Sequence, residues 1–333
     1  MIMPPKSRLR EALKRVIFGP QNFAQQCPLG MRDPQSEIIV RLWGLGGALD
    51  VTHRHMMACG FPFTIGIALD EELAAKSHES KSLSLSFHER DGHRRLLGKI
   101  ALRAAAQFPA GNEKLCLFQP RSYSNYCLPK PWLWSRYLYY ARSRSSPQTA
   151  EMALTLREVH SMSVFYICPR PVVLATVAER NAGNVFPMNL MGAIDEDYFS
   201  FALNATRPVT SVVESIGRIA LSSIPLEQAS LTMALGKNHR AGYVPWGDLR
   251  FETKKSTLFG APVPAFATRV REMQIESVRE VGSHKLFVAR VLRDERYADG
   301  AEFFVVHGIY QAYRERSGRF LDSLQSAPGL VAR

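Results

Sequence analysis

The sequence predicts a mainly β protein in two parts: an N-terminal domain that is mostly β or α+β, and a C-terminal antiparallel β domain with a few helices. Three observations lead there. At 333 residues the chain exceeds the ~250–300 residues at which single cores stop growing. Short apolar and alternating runs bounded by Gly, Pro and Asn recur along both halves, as β-strands require. Residues 141–150, Ala-Arg-Ser-Arg-Ser-Ser-Pro-Gln-Thr-Ala, form a polar Ser/Arg-rich stretch suited to a linker. The division places a basic accessory domain at 1–150 and a second domain at 151–333.

Residues 6–18 space Leu9, Leu13, Val16 and Ile17 as one face of a short helix, and Gly19-Pro20 ends it. Strands follow at 38–43, 61–69, 83–87 and 114–118. Asp91-Gly92 is a hairpin signal between 83–88 and 95–100. The tract 99–107, Lys-Ile-Ala-Leu-Arg-Ala-Ala-Ala-Gln, reads as either strand or helix. Residues 121–144 interleave seven aromatic side chains with basic ones. That suits an arm wrapping a neighbouring domain or subunit better than a platform for single-stranded nucleic acid. Beyond the linker, strands are expected at 172–177, 198–203, 218–222, 269–277, 285–292 and 302–307, with helices at 210–217 and 226–235. No internal repeat is evident.

The 42 Lys and Arg outnumber the 30 Asp and Glu. Residues 1–150 carry 21 against 11 and residues 151–333 carry 21 against 19, so the excess sits in the first half. A basic field attracts nucleic acid, acidic membranes or anionic cofactors, but a hydrated surface looks the same. Five scattered cysteines without CxxC spacing argue against a disulfide framework or zinc cluster and for a reducing, cytoplasmic setting. His53-Arg-His55 lacks a nearby carboxylate, so no metal site is expected. No apolar run reaches the ~20 residues of a membrane span, and no signal peptide is read. Gly44-Leu-Gly-Gly lacks the last glycine of a dinucleotide-binding fingerprint.

Two segments carry the chemistry. The first, Asn184-Val-Phe-Pro-Met-Asn-Leu-Met-Gly192, offers amides, small residues and soft methionines to a flat ring. The second, Asn204-Ala-Thr-Arg-Pro-Val-Thr210, offers an amide, two hydroxyls and a guanidinium to a phosphate. With Pro169-Arg-Pro-Val-Val-Leu-Ala-Thr-Val177 before them, and Ser215-Ile-Gly217, Gly282-Ser-His284 and His307-Gly-Ile-Tyr310 after them, the order and spacing resemble the flavin reductase-like family. The resemblance spans roughly residues 160–316. It implies a C-terminal antiparallel split β-barrel with Greek-key connections that binds FMN, or FAD. It also implies NAD(P)H as co-substrate, a homodimer, and reduced flavin passed to a partner such as a flavin-dependent monooxygenase. The implied cofactor-binding residues are Asn184, Pro187, Met188, Asn189, Leu190, Met191, Gly192, Asn204, Thr206, Arg207, Thr210, His307 and Tyr310. His284 reads as structural. The chain departs from the family at Pro208, where a second basic residue is usual, and at Asn189, where serine is. Lys237, Asn238, His239 or Arg240 would then supplement the phosphate grip. The expected function is an NAD(P)H-dependent flavin reductase. The alternatives are an FMN-binding electron-transfer or sensor protein without that reaction, or a basic nucleic-acid- or membrane-contacting protein carrying a flavin module.

Overall fold

The computed structural model describes residues 25–32, 36–90, 94–143, 155–179 and 182–318. The expected helix at 6–18, most of the linker and the Asp91-Gly92 turn lie outside these.

The first half builds a seven-stranded antiparallel sheet. After β1 (Gln26–Met31) come β2 (Ile38–Trp43), β3 (Ala48–Asp50), β4 (His55–Gly60), β5 (Phe63–Leu69), helix α1 (Glu71–Glu79), β6 (Ser84–Glu89), β7 (Leu96–Ala110) and β8 (Glu113–Asn125). The strand order is β3-β2-β6-β7-β8-β5-β4. The tract 99–107 is strand, because β7 pairs along its length with β8. Helices α2 (Lys130–Ser143) and α3 (Leu156–Phe165) follow. Thr155 caps α3 in a capping box with Glu158, so two end groups are satisfied reciprocally.

The second half comprises β9 (Arg170–Pro171), β10 (Val173–Glu179), β11 (Ala182–Met188), β12 (Met191–Ala193), β13 (Tyr198–Asn204), α4 (Pro208–Ile216) and β14 (Arg218–Ser223). A short helical region follows, with α5 (Ala229–Ala234) and a 3₁₀ segment, Leu235–Arg240. Then come β15 (Thr253–Lys255), β16 (Pro262–Pro264), β17 (Arg269–Val281), β18 (His284–Arg296), β19 (Glu302–His307) and α6 (Gly308–Arg316). Seven strands form one antiparallel sheet in the order β11-β10-β14-β17-β18-β13-β12. The chain leaves β13 and returns at β14 across the sheet by way of α4, a Greek-key type of connection. Alternating strands turn Val173, Ala175 and Val177 inward against Phe186, Phe201, Val213, Leu221 and Phe287. The Phe201 and Phe287 rings stack with centroids 4.8 Å apart.

Two findings depart from the sequence reading. First, β19 does not join the barrel; it pairs with β1 on one side and β9 on the other. Both ends of the described chain thus meet in a three-stranded sheet. One hydrophobic core runs through the first sheet, α3, β19 and α6, from Ile38 and Phe87 to Phe165, Phe303 and Tyr310. Second, the two seven-stranded sheets have the same strand order. Matching β2, β3, β4, β5, β6, β7 and β8 to β10, β11, β12, β13, β14, β17 and β18 turns one order into the other.

Candidate functional site

The turn leaving β13 is held by its own side chains. Asn204 Oδ1 accepts from the Thr206 backbone N–H (2.9 Å) and from Thr206 Oγ1 (2.8 Å), an Asx turn. Buried Thr210 donates its hydroxyl to the Asn204 carbonyl at 2.7 Å. Arg207 then stands at the start of α4 with Pro208 in the first turn, and no side chain caps this helix end. Proline fits there because its missing N–H would have no helical partner. The uncapped end presents the positive pole of the helix dipole beside a guanidinium.

The opposite wall is the loop from β11 to β12. Buried Asn184 donates to three carbonyls, Asn238 (3.1 Å), Ala241 (2.9 Å) and Gly242 (3.1 Å). Asn238 Nδ2 answers with a 2.7 Å bond to the Val185 carbonyl. These bonds clamp the 3₁₀ segment onto β11. The imidazole of His239 meets the Pro187 carbonyl through Nε2 at 2.8 Å. Because a carbonyl only accepts, Nε2 carries the proton. Burial lowers the pKa of His239 and the Arg207 charge adds to this, while the Pro187 bond opposes it. The Asn189 side chain lies near the buried Tyr166 hydroxyl.

Between these walls lies a cleft of about 260 Å³, near the small end of the ~300–1,000 Å³ usual for ligand pockets. Arg207 and Arg240 line it, with the amides of Asn189 and Asn204 and the apolar surfaces of Met188 and Leu190. His284, on the hairpin joining β17 and β18, completes it. Its Nδ1 accepts from the Gly60 backbone N–H at 3.4 Å. Burial pushes its pKa down to about 4, so the ring is neutral at pH 7 and a donor through Nε2. A cleft lined by two guanidinium groups, amides and apolar side chains suits an anionic ligand with a flat apolar body. Hydrogen bonds to a charged phosphate are the strong ones, and methionine packs well on flat π surfaces.

The structure therefore brings Pro187, Met188, Asn189, Leu190, Asn204 and Arg207 to one cleft. Thr206 and Thr210 shape the turn beside it, and Asn184 holds the adjoining segment. Met191 and Gly192 face a different crevice, between the halves, with His53, His55 and Arg170. His307 and Tyr310 are buried far along the chain's other core. His307 caps α6 by accepting from the Ile309 N–H, and lies edge-on to Tyr140 of α2 at 5.4 Å. Tyr310 donates to Glu37 at 2.9 Å. The sequence reading of His284 as structural missed a cleft residue, although the Gly-x-His pattern marked it. Gly236, His239 and Arg240 also line the cleft. Lys237 faces a separate cleft. Among the described residues no helix is long and apolar enough to cross a membrane, and no cluster of three or more His, Cys, Asp or Glu is placed to hold a metal ion.

No family model matches the chain, and no curated protein matches it by sequence. Among solved structures, part of the chain is similar to an NADH:FAD oxidoreductase from Streptomyces globisporus. The two are 19% identical over 47% of this chain and 93% of the other, with a TM-score of 0.41. The flavin reductase component of a bacterial two-component tryptophan halogenase is 17% identical over 44% of this chain and 90% of the other, at a TM-score of 0.39. An FMN-binding protein from Thermus thermophilus, solved with p-hydroxybenzaldehyde, is 22% identical over 38% of this chain and 72% of the other, at a TM-score of 0.34.

Proposed function

We propose that this protein binds a flavin nucleotide in the second-half cleft and reduces it with NAD(P)H. The observation that carries the reading is that Arg207, at the uncapped start of α4, and Arg240 line the same cleft as Met188, Leu190 and the amides of Asn189 and Asn204. A flavin held there by Arg207, Arg240 and the cleft amides would supply the two-electron redox chemistry.

The chain's own residues bind, orient and exclude water. Arg207 and Arg240 neutralise the phosphate with charge-assisted bonds. Asn204, held in its Asx turn, presents a fixed polar edge beside Asn189, so little ordering remains to be done there on binding. Neutral His239 and His284 add no charge that would compete with the arginines. No side chain is assigned a proton-transfer step, because a hydride transfer between cofactors asks the protein mainly for orientation. In this reading FMN, or FAD, stays bound or passes in reduced form to an acceptor such as a flavin-dependent monooxygenase in the cytoplasm.

The test is the visible spectrum of the purified protein after incubation with FMN and gel filtration. Retained flavin absorption that bleaches on adding NADH or NADPH is the expected result. Retained colour without bleaching makes it a flavin-binding protein without reductase activity. No retained or titratable flavin contradicts the reading.

A further inference from the structure

The two seven-stranded sheets match in more than strand order. In the first, Ala68 N–H donates to the Arg54 carbonyl at 2.9 Å; in the second, Ala202 N–H donates to the Leu190 carbonyl at 2.8 Å. Ala68 pairs with Leu115 and Ala202 with Leu286. His55 pairs with Ile67 and Met56 with Gly66, as Met191 does with Phe201 and Gly192 with Ser200. Two-residue hairpin turns join β7 to β8 and β17 to β18, with Gly111 (φ +63°) and Gly282 (φ +53°) in the same place. Residue by residue, Arg54 corresponds to Leu190, Met56 to Gly192, Ala68 to Ala202, Asp70 to Asn204 and Glu113 to His284.

The contacts between the halves are reciprocal in the same correspondence. A side chain on Gly111 would overlap the Tyr198 ring; one on Gly282 would overlap the Phe61 carbonyl and Pro62. Each hairpin tip thus presses on the start of the other copy's matching strand, Gly111 on the first residue of β13 and Gly282 on the turn just before β5. Met56 packs on Gly192, its own counterpart, where an added Cβ would lie 3.1 Å from Met56 Cβ. Ser200 Oγ also donates to Met56 Sδ at 2.7 Å. One buried cluster holds both members of the pairs Ala58 and Ile194, Ala68 and Ala202, Leu115 and Leu286, and Leu117 and Val288. A surface that meets its own counterpart is the mark of a two-fold interface.

The copies differ where the second has its cleft. At the counterpart of the Asn204–Arg207 turn stand exposed Asp70, Glu71 and Glu72, with Asp70 capping α1 through the Leu73 N–H. Where the second copy has Leu190 and His284, the first has Arg54 and Glu113 joined in a salt bridge of 3.0 Å. Glu71 pairs with Lys114 at 3.1 Å and Glu72 with Lys76 at 2.5 Å, so carboxylates and closed ion pairs stand where the second copy has its Asn204–Arg207 turn, and a phosphate is poorly complemented there. The first copy has a different use at the second copy's cleft. Its Gly60 N–H and Cys59 Sγ face His284 Nδ1 at 3.4 and 3.5 Å, and its Phe61 carbonyl accepts from Ser283 N–H at 2.8 Å.

We propose that this chain is a fused pseudodimer of one barrel, in which the first copy has lost its anion site and serves as a built-in partner that seats His284 in the second copy's cleft. One chain is then the complete unit, and the barrel that the sequence resemblance expects from a partner subunit is supplied in cis. The identity of the ligand rests on the flavin reading; the pairing of the copies does not.

The test combines sedimentation velocity with FMN titration of the intact protein. The expected results are a monomer of 37.4 kDa and one FMN per chain. Neutralising the first copy (Asp70→Asn, Glu71→Gln, Glu72→Gln) should leave that affinity unchanged. Gly60→Val should weaken FMN about tenfold, since even a Cβ there lies 3.3 Å from His284 Cε1. Adding His284→Ala to Gly60→Val should recover part of the loss. If Gly60→Val misfolds by circular dichroism, Gly60→Ala carries the same comparison with a smaller effect. A homodimer in solution, two FMN per chain, or affinity indifferent to the Gly60 variants would each overturn the proposal. Failure to bind FMN at all would sink the flavin reading, and the sedimentation result alone would then decide the pseudodimer.

Discussion

Arg207 is the residue on which phosphate recognition turns. It stands beside the uncapped start of α4 and lines the cleft. Arg207→Ala should weaken FMN binding by ~1.5–3 kcal/mol, the usual size of a hydrogen bond to a charged group. Arg157 is the control: it donates to the carbonyls of Pro120 and Arg121, away from the cleft, and Arg157→Ala should change affinity little. Fluorescence titration of both variants checks this, and equal affinities would mean that the phosphate sits elsewhere. Histidines set the acid response. Burial lowers the pKa of His284 to about 4 and of His307 to about 3. Between those values and ~6.5 the unfolded chain binds protons that the folded chain does not, so stability falls as the pH drops. Each histidine should cost roughly 1–2 kcal/mol between pH 7 and pH 5. Urea unfolding at the two pH values measures it, and equal stability would contradict the burial of these rings.

At the level of elements, the clamp between β11 and the 3₁₀ segment decides whether the cleft has its second wall. Asn184 spends its amide on three carbonyls of 238–242. Asn184→Ala should cost ~1–3 kcal/mol of stability by leaving buried acceptors unmade. It should also weaken flavin binding by loosening His239 and Arg240. Normal flavin affinity in a destabilised variant would show that the segment does not matter to the site. Much of this scale was legible in the sequence. The runs 38–43, 198–203 and 218–222 became strands, the first by alternation over one buried face and the other two as short apolar runs buried on both faces, and Pro208 marked the start of α4. The cleft loops were also legible, since amide, proline and arginine types cluster there. Two things were not. Tract 99–107 has alanines that suit a helix, and only its long pairing with β8 makes it strand. His307 ends, and Tyr310 follows, a strand of the expected pattern, but β19 pairs with β1, nearly the whole chain away. No local signal carries that pairing.

On the scale of the whole molecule, the repeat is a matter of topology more than of identity. Its traces in the sequence are short: Gly111-Asn-Glu-Lys-Leu115 beside Gly282-Ser-His-Lys-Leu286, and Ile67-Ala-Leu-Asp70 beside Phe201-Ala-Leu-Asn204. These are the positions where a tight turn and a close approach of backbones restrict the choice of residue; elsewhere any apolar side chain of similar size fills the core. The aromatic run 121–144 is part of this scale too. Its residues 121–125 end β8 and 130–143 form α2, and Tyr140 packs against His307 of the second half. The sequence reading makes residues 1–150 an accessory domain beside an independent second half. The shared core argues otherwise. A chain lacking residues 1–150 loses β1 from the edge of β19, and Glu37 from Tyr310 and Arg314. It also exposes the apolar interface around Ala202, Leu286 and Val288. Such a chain should aggregate rather than bind FMN, because large uncovered apolar patches associate. A soluble, FMN-binding fragment, seen by gel filtration and absorption, would show that the halves are independent. The most direct measurement of the central claim is a crystal structure of the intact protein grown with FMN. The account expects flavin density in each chain at the second-half cleft, with its phosphate at Arg207 and Arg240 and its ring against Met188–Leu190. Flavin seated in the first barrel or in the crevice beside His55 and Arg170, with the Arg207 cleft empty, would contradict it.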